Sequence, residues 1–415
     1  MKRYRALCAA VLTAVCVFIP RPATYAIDSG DTIVSMQINN PIMEVNGEEK
    51  PIDESGTSPL IINGRTLVPI RSVIEAFGGT VGWNQDTRSV LLEMNGDSVT
   101  LTIDSHTAYV NGREYTIDTP PEIINERTMQ PIRFIAESFN LGVAWDEDNR
   151  TVSVIRNVFS DSEYEYLEKI LPGYSGMAYT EINDNKPFFK DYEIIGGSFE
   201  YYASLDELGR CDVCLASVGE DIMPTGARES ISSVKPTGWQ SVKYDNVDGG
   251  YLYNRCHLIG FQLTGENANE RNLVTGTRYL NVDGMLPFEN YVSEYVKRTG
   301  NNVMYRVTPV FSMNNLVCDG VLMEAYSVED DGAGISFCVY CYNVQPDIVI
   351  DYATGASYSL ISQIPQTDSV NYGVYRTPNG SRYHYDPVCG GKNSYSVTLA
   401  DAIAAGLTPC KKCVK

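Results

Sequence analysis

The first third of the chain alternates short apolar runs with turn residues, and this pattern occurs twice. Residues 63–71 (NGRTLVPIR) recur as residues 125–133 (NERTMQPIR), and the match continues to Trp83 and Trp145. Such self-similarity indicates a tandem duplication. Each copy predicts a strand, an amphipathic helix that begins at proline, and a hairpin. We therefore expect a duplicated small α+β domain over residues 33–155, with each tryptophan buried.

Beyond residue 164 the apolar runs become shorter, and turns separate them as expected for strands. One segment of helical period has proline near its start and Gly300 after its end, which predicts a helix from Pro287 to Thr299. His257 ends one of the strand-like runs. The polar residues 361–372 predict a linker, and a compact tail follows it.

The chain starts with the pattern of a secretory signal peptide. Basic residues precede an apolar stretch that ends near Pro20, and small residues surround Ala26. No later run of about 18 apolar residues exists, so no transmembrane segment is predicted in the mature chain. The sequence therefore predicts cleavage after residue 26 and a secreted, extracellular protein, with cell-surface association as a further option.

Charge narrows the classes of function. The chain has 415 residues, 43% of them apolar, and a formal net charge of −20, which suits two or three globular domains. General electrostatic attraction to nucleic acid or to an anionic membrane is thereby excluded. A polyanionic substrate would have to be held by a local basic patch or by a metal ion.

The candidate chemistry centres on one of only three histidines. Hydrolysis of a phosphodiester needs a base to activate water, a cation to neutralise charge, and a donor for the non-bridging oxygens. His257, a metal ion held by Asn281, and Arg255 would supply these three functions. The residues alone leave a second interpretation open, because a single histidine in an apolar strand is often a core residue and asparagine-rich stretches are often loops.

The same segment resembles the DNA/RNA non-specific endonuclease family, whose fold is of the ββα-metal (His-Me finger) type. The likeness covers about residues 164–360 and is closest to secreted nucleases of Gram-positive bacteria. It is carried by the spacing of Arg255-Cys256-His257, Asn272, Asn281 and Glu289. The resemblance implies an endonuclease that hydrolyses DNA and RNA and leaves 5′-phosphate ends.

The resemblance also implies a role for each matching position. His257 is the general base that deprotonates water, and Asn281 binds a single Mg²⁺ (or Mn²⁺) whose other ligands are mostly water. Asn272 orients the histidine or the surroundings of the metal. Glu289 is a carboxylate behind the metal ligands, and Arg255 clamps the phosphate.

Two positions depart from the Asp-Arg-Gly-His signature that is usual in this family. This chain has Asn254 in place of the aspartate and Cys256 in place of the glycine. Neither change removes a proposed reacting group, so loss of activity is not implied. Cys256 is expected to be a small buried thiol rather than a redox-sensitive group. Lys235 and Arg278 lie near the site in sequence and are expected to bind substrate together with Arg255.

The duplicated segment resembles the copper-amine-oxidase N-terminal-like domain, a module found on exported bacterial proteins. Its single histidine, His106, lies in an alternating stretch with no second metal ligand nearby. We therefore expect a plain strand residue, no copper and no oxidase activity. The repeated arginines are expected to form ion pairs at buried edges, with binding of a cell-wall polymer as the alternative. A scaffold or surface-attachment role follows.

Two pairs of cysteines in the central region have C-x-x-C spacing. Cys211 and Cys214 would complete a four-thiolate zinc site with Cys338 and Cys341. The latter two, however, lie in one strand-like run, where an odd spacing puts them on opposite faces. Packing or a single inter-strand disulfide is expected instead.

The tail from residue 373 to 415 has its own set of metal ligands: His384, Cys389, Cys410 and Cys413. About forty residues cannot fold on an apolar core alone, and one histidine with three cysteines provides tetrahedral ligands for a structural Zn²⁺. The alternative is a disulfide from Cys389 to Cys410 or Cys413. Four protein ligands leave no open position for catalysis by this zinc.

The sequence as a whole predicts an α+β protein with a ββα-metal nuclease domain between the duplicated domain and the Cys/His module. Its predicted function is that of a secreted, metal-dependent, sugar-non-specific endonuclease. A protein of a different class would fit the same pattern if it bound nucleic acid and the cell wall without cutting. An enzyme shortens DNA when Mg²⁺ is present, whereas a binding protein only shifts its mobility.

Overall fold

The computed structural model describes residues 30–360 and 373–414 of the chain. The predicted signal peptide, residues 1–26, and the predicted linker, residues 361–372, lie outside the described residues. Within the described ranges, no helix combines the length and the apolarity needed to cross a membrane.

The duplication predicted from the sequence is visible in the order of the elements at the N-terminus. Each half contributes a three-stranded meander, a hairpin, a short helix and a second hairpin. The elements are β1 (Thr32–Gln37), β2 (Ile42–Val45), β3 (Glu48–Pro51), β4 (Leu60–Ile62), β5 (Arg65–Pro69), α1 (Ile70–Ala76), β6 (Thr80–Asn84), β7 (Ser89–Met94), β8 (Asp97–Thr102), β9 (Thr107–Val110), β10 (Arg113–Thr116), β11 (Glu122–Ile124), β12 (Arg127–Pro131), α2 (Ile132–Ser138), β13 (Gly142–Asp146) and β14 (Thr151–Arg156).

Three sheets arise from these strands because the two halves exchange elements. The orders are β13-β14-β1-β2-β3, β10-β9-β8-β7-β6 and β11-β12-β5-β4. The last sheet joins the halves where β5 pairs with β12 in antiparallel register, with Leu67 opposite Pro131 and Pro69 opposite Met129. Each helix begins directly after the proline that ends its strand, as the fixed φ of proline favours.

Three expectations about this domain are wrong. Trp83 is 40% exposed rather than buried, because its indole lies across the groove beside α1 and donates to the Gln85 side chain at 2.8 Å. The repeated arginines do form ion pairs, but these lie at the surface; Arg71 and Glu75, for example, are 3.6 Å apart with both side chains more than half exposed. His106 lies in the turn before β9 rather than in a strand, and its Nδ1 contacts the Ile117 carbonyl at 2.8 Å.

The central region is built around a six-stranded antiparallel sheet of order β15-β22-β21-β20-β17-β16. A separate antiparallel pair, β18 and β19, lies between β17 and the long helix α5 in sequence. The elements are α3 (Asp161–Ile170), β15 (Tyr179–Glu181), β16 (Phe199–Tyr202), β17 (Cys214–Val218), β18 (Tyr253–His257), α4 (Phe261–Thr264), β19 (Leu273–Thr277), α5 (Leu286–Thr299), β20 (Val303–Val310), β21 (Gly320–Ser327), β22 (Ser336–Tyr342), β23 (Ile348–Ile350) and β24 (Ser357–Ser359).

The predicted helix is confirmed, with a start one residue earlier than expected. It covers Leu286–Thr299 and ends at Gly300, whose φ of 74° lies in the left-handed region that favours glycine. A π-helical segment, Leu280–Met285, precedes it directly. The pair β18–β19 followed by this helix gives the ββα order expected of the nuclease fold.

The tail forms a small four-stranded sheet of order β27-β25-β26-β28 with two short helices. Its core is small and contains Val374, Ala402 and Leu407. One of these helices has an N-cap, since the Thr398 hydroxyl accepts the Asp401 backbone N–H. The elements are β25 (Gly373–Arg376), β26 (Arg382–His384), α6 (Pro387–Gly390), β27 (Tyr395–Thr398), α7 (Leu399–Ala404) and β28 (Thr408–Pro409).

The duplicated domain and the central region share a buried apolar cluster. Ile33, Ala144 and Ile155 of the duplicated domain contact residues of the central sheet that include Tyr201 and Leu215. The strands β13 and β16 lie side by side there, and Gly142 approaches Tyr201 so closely that a Cβ at position 142 would lie 3.2 Å from the tyrosine Cβ.

A charged group is buried beside this cluster. The Arg306 guanidinium donates to the carboxylates of Glu324, at 2.8 and 3.0 Å, and of Glu193, at 2.8 Å. All three side chains are at most 2% exposed. Asn157, at the end of the duplicated domain, donates to the same Glu193 carboxylate at 3.0 Å. Burial and the Glu193 carboxylate raise the pKa of nearby Asp31 to about 7.

The C-x-x-C cysteines of the central region are free, buried thiols. Cys338 and Cys341 lie in β22 with an odd spacing, so they point to opposite sides of the sheet. The packing interpretation is therefore confirmed, and the disulfide is absent. Cys211 and Cys214 donate to backbone carbonyls, such as that of Leu273 at 3.2 Å from the Cys211 sulfur.

Candidate active site

The candidate site lies where the C-terminal end of β18 meets the start of β19 and the first turn of α5. Strand β18 ends at His257, and the chain then turns so that Ile259 and Gly260 lead into α4. Asn272 fixes this turn. Its fully buried amide accepts the Ile259 N–H at 2.8 Å and donates to the Ile259 carbonyl at 3.0 Å. Asn272 therefore positions the backbone beyond the histidine rather than the imidazole itself.

The two nitrogens of the His257 imidazole have different partners. Nε2 lies 2.8 Å from the backbone carbonyl of Asn267, which can only accept, so Nε2 carries the proton. Nδ1 lies 3.0 Å from a guanidinium nitrogen of Arg228, which can only donate, so Nδ1 presents its lone pair. Burial, with the charge of Arg228, lowers the pKa of His257 to about 4. The ring is thus neutral at pH 7 and can accept a proton at Nδ1.

Arg228 is a site residue that sequence reasoning missed. It lies in the irregular segment between β17 and β18, which contains no strand or helix and therefore no period that would place a side chain. Among the described residues it has no carboxylate within ion-pairing distance, so its charge is directed at the pocket. Its sequence context, TGARES, contains no signal for this role.

Glu289 lies on α5, within electrostatic reach of the same arginine. Its carboxylate packs against Gly260, so closely that a Cβ at position 260 would lie 2.6 Å from a carboxylate oxygen. The side chain is only partly exposed, and burial raises its pKa to about 7 despite the opposing effects of Gln262 and Arg228. The structure therefore brings His257, Arg228 and Glu289 together around the turn that follows β18.

A pocket of about 560 Å³ opens beside this group. Three arginines line it, namely Arg228, Arg255 and Arg278, together with Asn281 and neutral side chains. No carboxylate lines it, so the pocket is locally basic although the chain is strongly acidic. This concentration of positive charge suits a phosphate group.

Asn281 is placed in the pocket by the π-helical segment, whose wider turn is a common feature of functional sites. Its side-chain amide makes no hydrogen bond to another described residue, so its oxygen is available as a ligand. A single amide oxygen fits Mg²⁺, which usually keeps several of its waters when it binds to protein.

The Arg255 guanidinium is fixed by contacts with the protein itself, in addition to its expected role in binding phosphate. Its guanidinium donates to the carbonyls of Val234, at 2.5 Å, and Ser232, at 3.2 Å, and stacks at 4.1 Å on the ring of Trp239. These contacts use part of its donor capacity and fix the loop that forms one wall of the pocket. The remaining N–H groups can still face a phosphate, because the side chain lines the pocket.

The two other predicted substrate-binding residues differ in placement. Arg278 lines the pocket but donates to the Asp248 carboxylate at 2.9 and 3.1 Å, which partly neutralises its charge. Lys235 is exposed in the loop beside the pocket and is not among the residues that line it. Of the two, only Arg278 is therefore placed to contact a phosphate at the site.

The two departures from the family signature are accommodated differently. Cys256 is fully buried, as expected, and its sulfur fills the space that a side chain at Gly276 would occupy. Burial raises the pKa of this thiol well above its usual value, which makes it unreactive. Asn254 lines the pocket, and its buried amide nitrogen has no hydrogen-bond partner among the described residues.

The four predicted zinc ligands of the tail converge. One ligand atom of each of His384, Cys389, Cys410 and Cys413 lies within 4.8 Å of the others. The Cys389 and Cys410 sulfurs are 3.8 Å apart, too far for a disulfide, and the Cys413 sulfur lies 3.6 Å from His384 Nδ1. Backbone N–H groups at Lys412 and Cys413 lower the pKa of Cys410 to about 6, which favours the thiolate that zinc requires.

We expect His384→Ala to reduce the zinc content of the purified chain and to destabilise the tail, because three thiols hold the ion less tightly than four ligands. Elemental analysis of the metal and thermal unfolding would measure both effects. Tyr385→Ala is the matched control, since Tyr385 is an exposed neighbour without a ligand atom near the cluster. Equal zinc content in the two variants would contradict the predicted site.

Comparisons with known proteins agree with this geometry. Residues 190–329 match the model of the DNA/RNA non-specific endonuclease family, and residues 54–154 match that of the copper amine oxidase N-terminal domain. Both matches fall within the ranges expected from the sequence.

Solved structures of nucleases also resemble this chain. NucA from Streptococcus agalactiae with magnesium bound is 24% identical and covers 48% of this chain and 97% of its own, with a TM-score of 0.40. The Sda1 nuclease with a bound zinc ion is 24% identical and covers 46% of this chain and 99% of its own, with a TM-score of 0.39. The family matches identify the parts of this protein: it carries a DNA/RNA non-specific endonuclease domain behind a copper amine oxidase N-terminal domain.

Proposed function

We propose that this protein is a metal-dependent endonuclease that hydrolyses phosphodiester bonds in both DNA and RNA and leaves 5′-phosphate ends. The observation that carries the proposal is the state of His257, a neutral imidazole whose Nδ1 accepts from Arg228, a residue that lines the basic pocket together with Asn281. The family match of residues 190–329 supports the same reaction class.

His257 is the general base in this proposal. The Asn267 carbonyl holds the Nε2 proton and so fixes the tautomer and the direction of the ring. Nδ1 takes the proton of the attacking water, whose oxygen forms a new bond to phosphorus while the bond to the 3′ oxygen breaks. The leaving 3′ oxygen takes up a proton from solvent, and the phosphate stays on the 5′ oxygen of the downstream fragment.

Arg228 changes partners during this reaction. In the structure its guanidinium donates to Nδ1, where the attacking water must bind. Once a water occupies that position, the guanidinium is free to donate to the non-bridging oxygens of the phosphate, which lies in the pocket that Arg228 lines. Arg255 and Arg278 contribute further positive charge, and electrostatic stabilisation of this kind is often the largest part of catalysis.

Asn281 would hold Mg²⁺ or Mn²⁺ through its amide oxygen, and Glu289 lies behind it as a carboxylate that ionises near neutral pH. The bound ion would neutralise charge on the phosphate oxygens and stabilise the leaving oxygen. Asn272 acts as a positioning residue through the Ile259 backbone.

Low sequence preference follows from the contents of the pocket. Its charged groups suit the sugar-phosphate backbone, which carries no base identity. Trp239 is only partly exposed beneath the Arg255 guanidinium and is therefore not free to stack on a base. The same contacts serve DNA and RNA.

We further propose that the protein is secreted, that its tail binds a structural Zn²⁺, and that the duplicated domain attaches it to a polymer of the cell wall. Secretion is supported by the signal-peptide pattern at residues 1–26, the zinc site by the convergent Cys/His cluster, and the attachment by the two open grooves of the duplicated domain.

Metal dependence tests the proposed function directly. Purified mature protein incubated with supercoiled plasmid or with RNA should shorten both when Mg²⁺ is added and neither when Mg²⁺ is omitted, because the ion that Asn281 would hold supplies charge at the leaving oxygen that the pocket arginines do not replace. Excess EDTA would also remove zinc, so omission and re-addition of Mg²⁺ is the decisive comparison. Binding of DNA without shortening, at any Mg²⁺ concentration, would instead show a non-catalytic binding protein.

A further inference from the structure

Two grooves of the duplicated domain have no part in the nuclease site. The first, of about 810 Å³, lies between α2, β13 and the β4–β5 hairpin, and the second, of about 710 Å³, lies between α1, β6 and the β11–β12 hairpin. Each groove therefore combines the helix of one repeat with a hairpin of the other. Both volumes fall within the range of ligand pockets, about 300–1,000 Å³.

The repeats have kept the residues that line these grooves. Twelve of the sixteen lining positions of the first groove have an identical counterpart in the second. The pairs include Trp83/Trp145, Arg71/Arg133, Glu75/Glu137, Arg65/Arg127 and Asp53/Asp118.

Buried positions of the same repeats have diverged. Val68 corresponds to Gln130, and Ile74 corresponds to Ala136, although all four are at most 1% exposed. Packing ordinarily constrains buried residues more than exposed ones. Seven of the twelve retained pairs lie outside the buried core in both repeats. Packing does not explain their retention, which therefore indicates a shared binding function.

Each arginine of the two grooves is paired with a carboxylate, and further carboxylates, Glu147 in the first groove and Glu54 and Glu126 in the second, also line them. In the first groove, Arg65 lies 2.5 Å from Asp118 and Arg133 lies 3.7 Å from Glu137. In the second, Arg127 pairs with Asp53 at 2.9 Å, and Arg71 pairs with Glu75. Since each cation is matched by a carboxylate, neither groove favours a polyanion. The pairs instead present donors and acceptors side by side, the combination that several hydroxyl groups of one ligand can use together.

The tryptophans supply the apolar surface of each groove. The indole N–H of Trp83 is bound to Gln85 at 2.8 Å, and that of Trp145 to Glu147 at 2.5 Å. The N–H groups are therefore occupied, and the ring surface is what remains for a ligand. A hexopyranose ring matches this site because its C–H face packs on an aromatic ring while its hydroxyls reach the flanking ion pairs.

We propose that the duplicated domain binds a neutral glycan of the bacterial cell wall, with a stretch of hexopyranose units in each groove. This inference rests on the wall attachment proposed above and specifies its site and its ligand. Two equivalent grooves on one domain suit a polymer of repeating units, because the second contact forms at high effective concentration once the first is made.

Sedimentation with insoluble cell-wall sacculi tests the proposal. The mature full chain would be mixed with sacculi of a Gram-positive bacterium from which the anionic polymers have been stripped, and the bound fraction would be measured against sacculus concentration. We expect Trp83→Ala and Trp145→Ala each to weaken binding about tenfold or more. The double variant should lose at least about 100-fold, since both contacts of a bivalent site are then lost.

Tyr109→Ala is the matched control, because Tyr109 is an exposed aromatic residue of the same domain, 40% exposed, that lines neither groove. It should bind sacculi as the unchanged protein does. Binding is measured below the unfolding temperature of every variant, because Trp145 also packs against the apolar core. The proposal is overturned if the unchanged protein fails to sediment, if it sediments only while anionic polymers are present, or if the double tryptophan variant still binds normally. Plasmid cleavage, measured in parallel, reports separately on the proposed nuclease and should be equal in all variants.

Discussion

Replacement of His257 by alanine should lower the rate of phosphodiester cleavage by about 10²–10⁴-fold, the contribution usual for a general base. The side chain supplies a neutral imidazole beside Arg228, and its pKa of about 4 keeps Nδ1 unprotonated throughout the neutral range. Neither Glu289 nor Arg228 can replace it, since the guanidinium holds its protons and the carboxylate lies against Gly260. Plasmid cleavage with saturating Mg²⁺, measured under single-turnover conditions, gives the rate directly.

His106→Ala is the matched control for this change. His106 is the same residue type on the same chain, but it lies in a turn of the duplicated domain and contacts only the Ile117 carbonyl through its ring. Its loss should leave the cleavage rate unchanged. The mechanism would be refuted if the His257 variant, folded and able to bind DNA, cut at the rate of the His106 variant.

Replacement of Arg306 by leucine should lower the free energy of unfolding by about 3–5 kcal/mol. The change removes the only cation that the described residues place against Glu193 and Glu324, and it leaves two carboxylates that are at most 1% exposed. It also removes the stacking of the guanidinium on Phe159 and Phe189, at 5.2 and 4.6 Å. Unfolding in urea, followed by tryptophan fluorescence, measures the loss.

The loss should depend on pH in a defined direction. Arg306 lowers the pKa of buried Asp31, so without it that pKa rises further in the folded state; the folded protein is then penalised at neutral pH, and the penalty shrinks as pH falls and Asp31 takes up a proton. The control is Lys169→Ala, which removes an exposed ion pair with Glu165 and should change stability by about 0.5 kcal/mol or less. A loss for Arg306→Leu no larger than this control would show that the buried pairs contribute no net stability.

Local pattern was sufficient to predict several elements of this structure. The repeat predicted the duplicated domain, proline and Gly300 predicted α5, and His257 does end a strand. These features depend on residues close together in sequence, whose backbone preferences act without help from the rest of the fold. The convergence of the tail's four ligands followed from spacing in the same way.

Other features depend on contacts between distant segments and could not be predicted. Arg228 reaches His257 from an irregular loop 29 residues away. Trp83 was expected inside because tryptophan is apolar, yet the groove beside α1 leaves its ring accessible. The neutral tautomer of His257 depends on a carbonyl at Asn267, and backbone carbonyls carry no signature in a sequence.

Ile33, Ile155 and Tyr201 belong to one apolar cluster that joins the duplicated domain to the central region. The two parts are therefore not separate structural modules. The two family matches, taken alone, suggest two independent units that recombination could exchange separately. Removal of the N-terminal unit would instead expose Tyr201 and its neighbours, and it would take Asn157 away from Glu193. Neither unit therefore has a complete surface of its own. Substitutions on one side of the junction therefore affect the stability of both units.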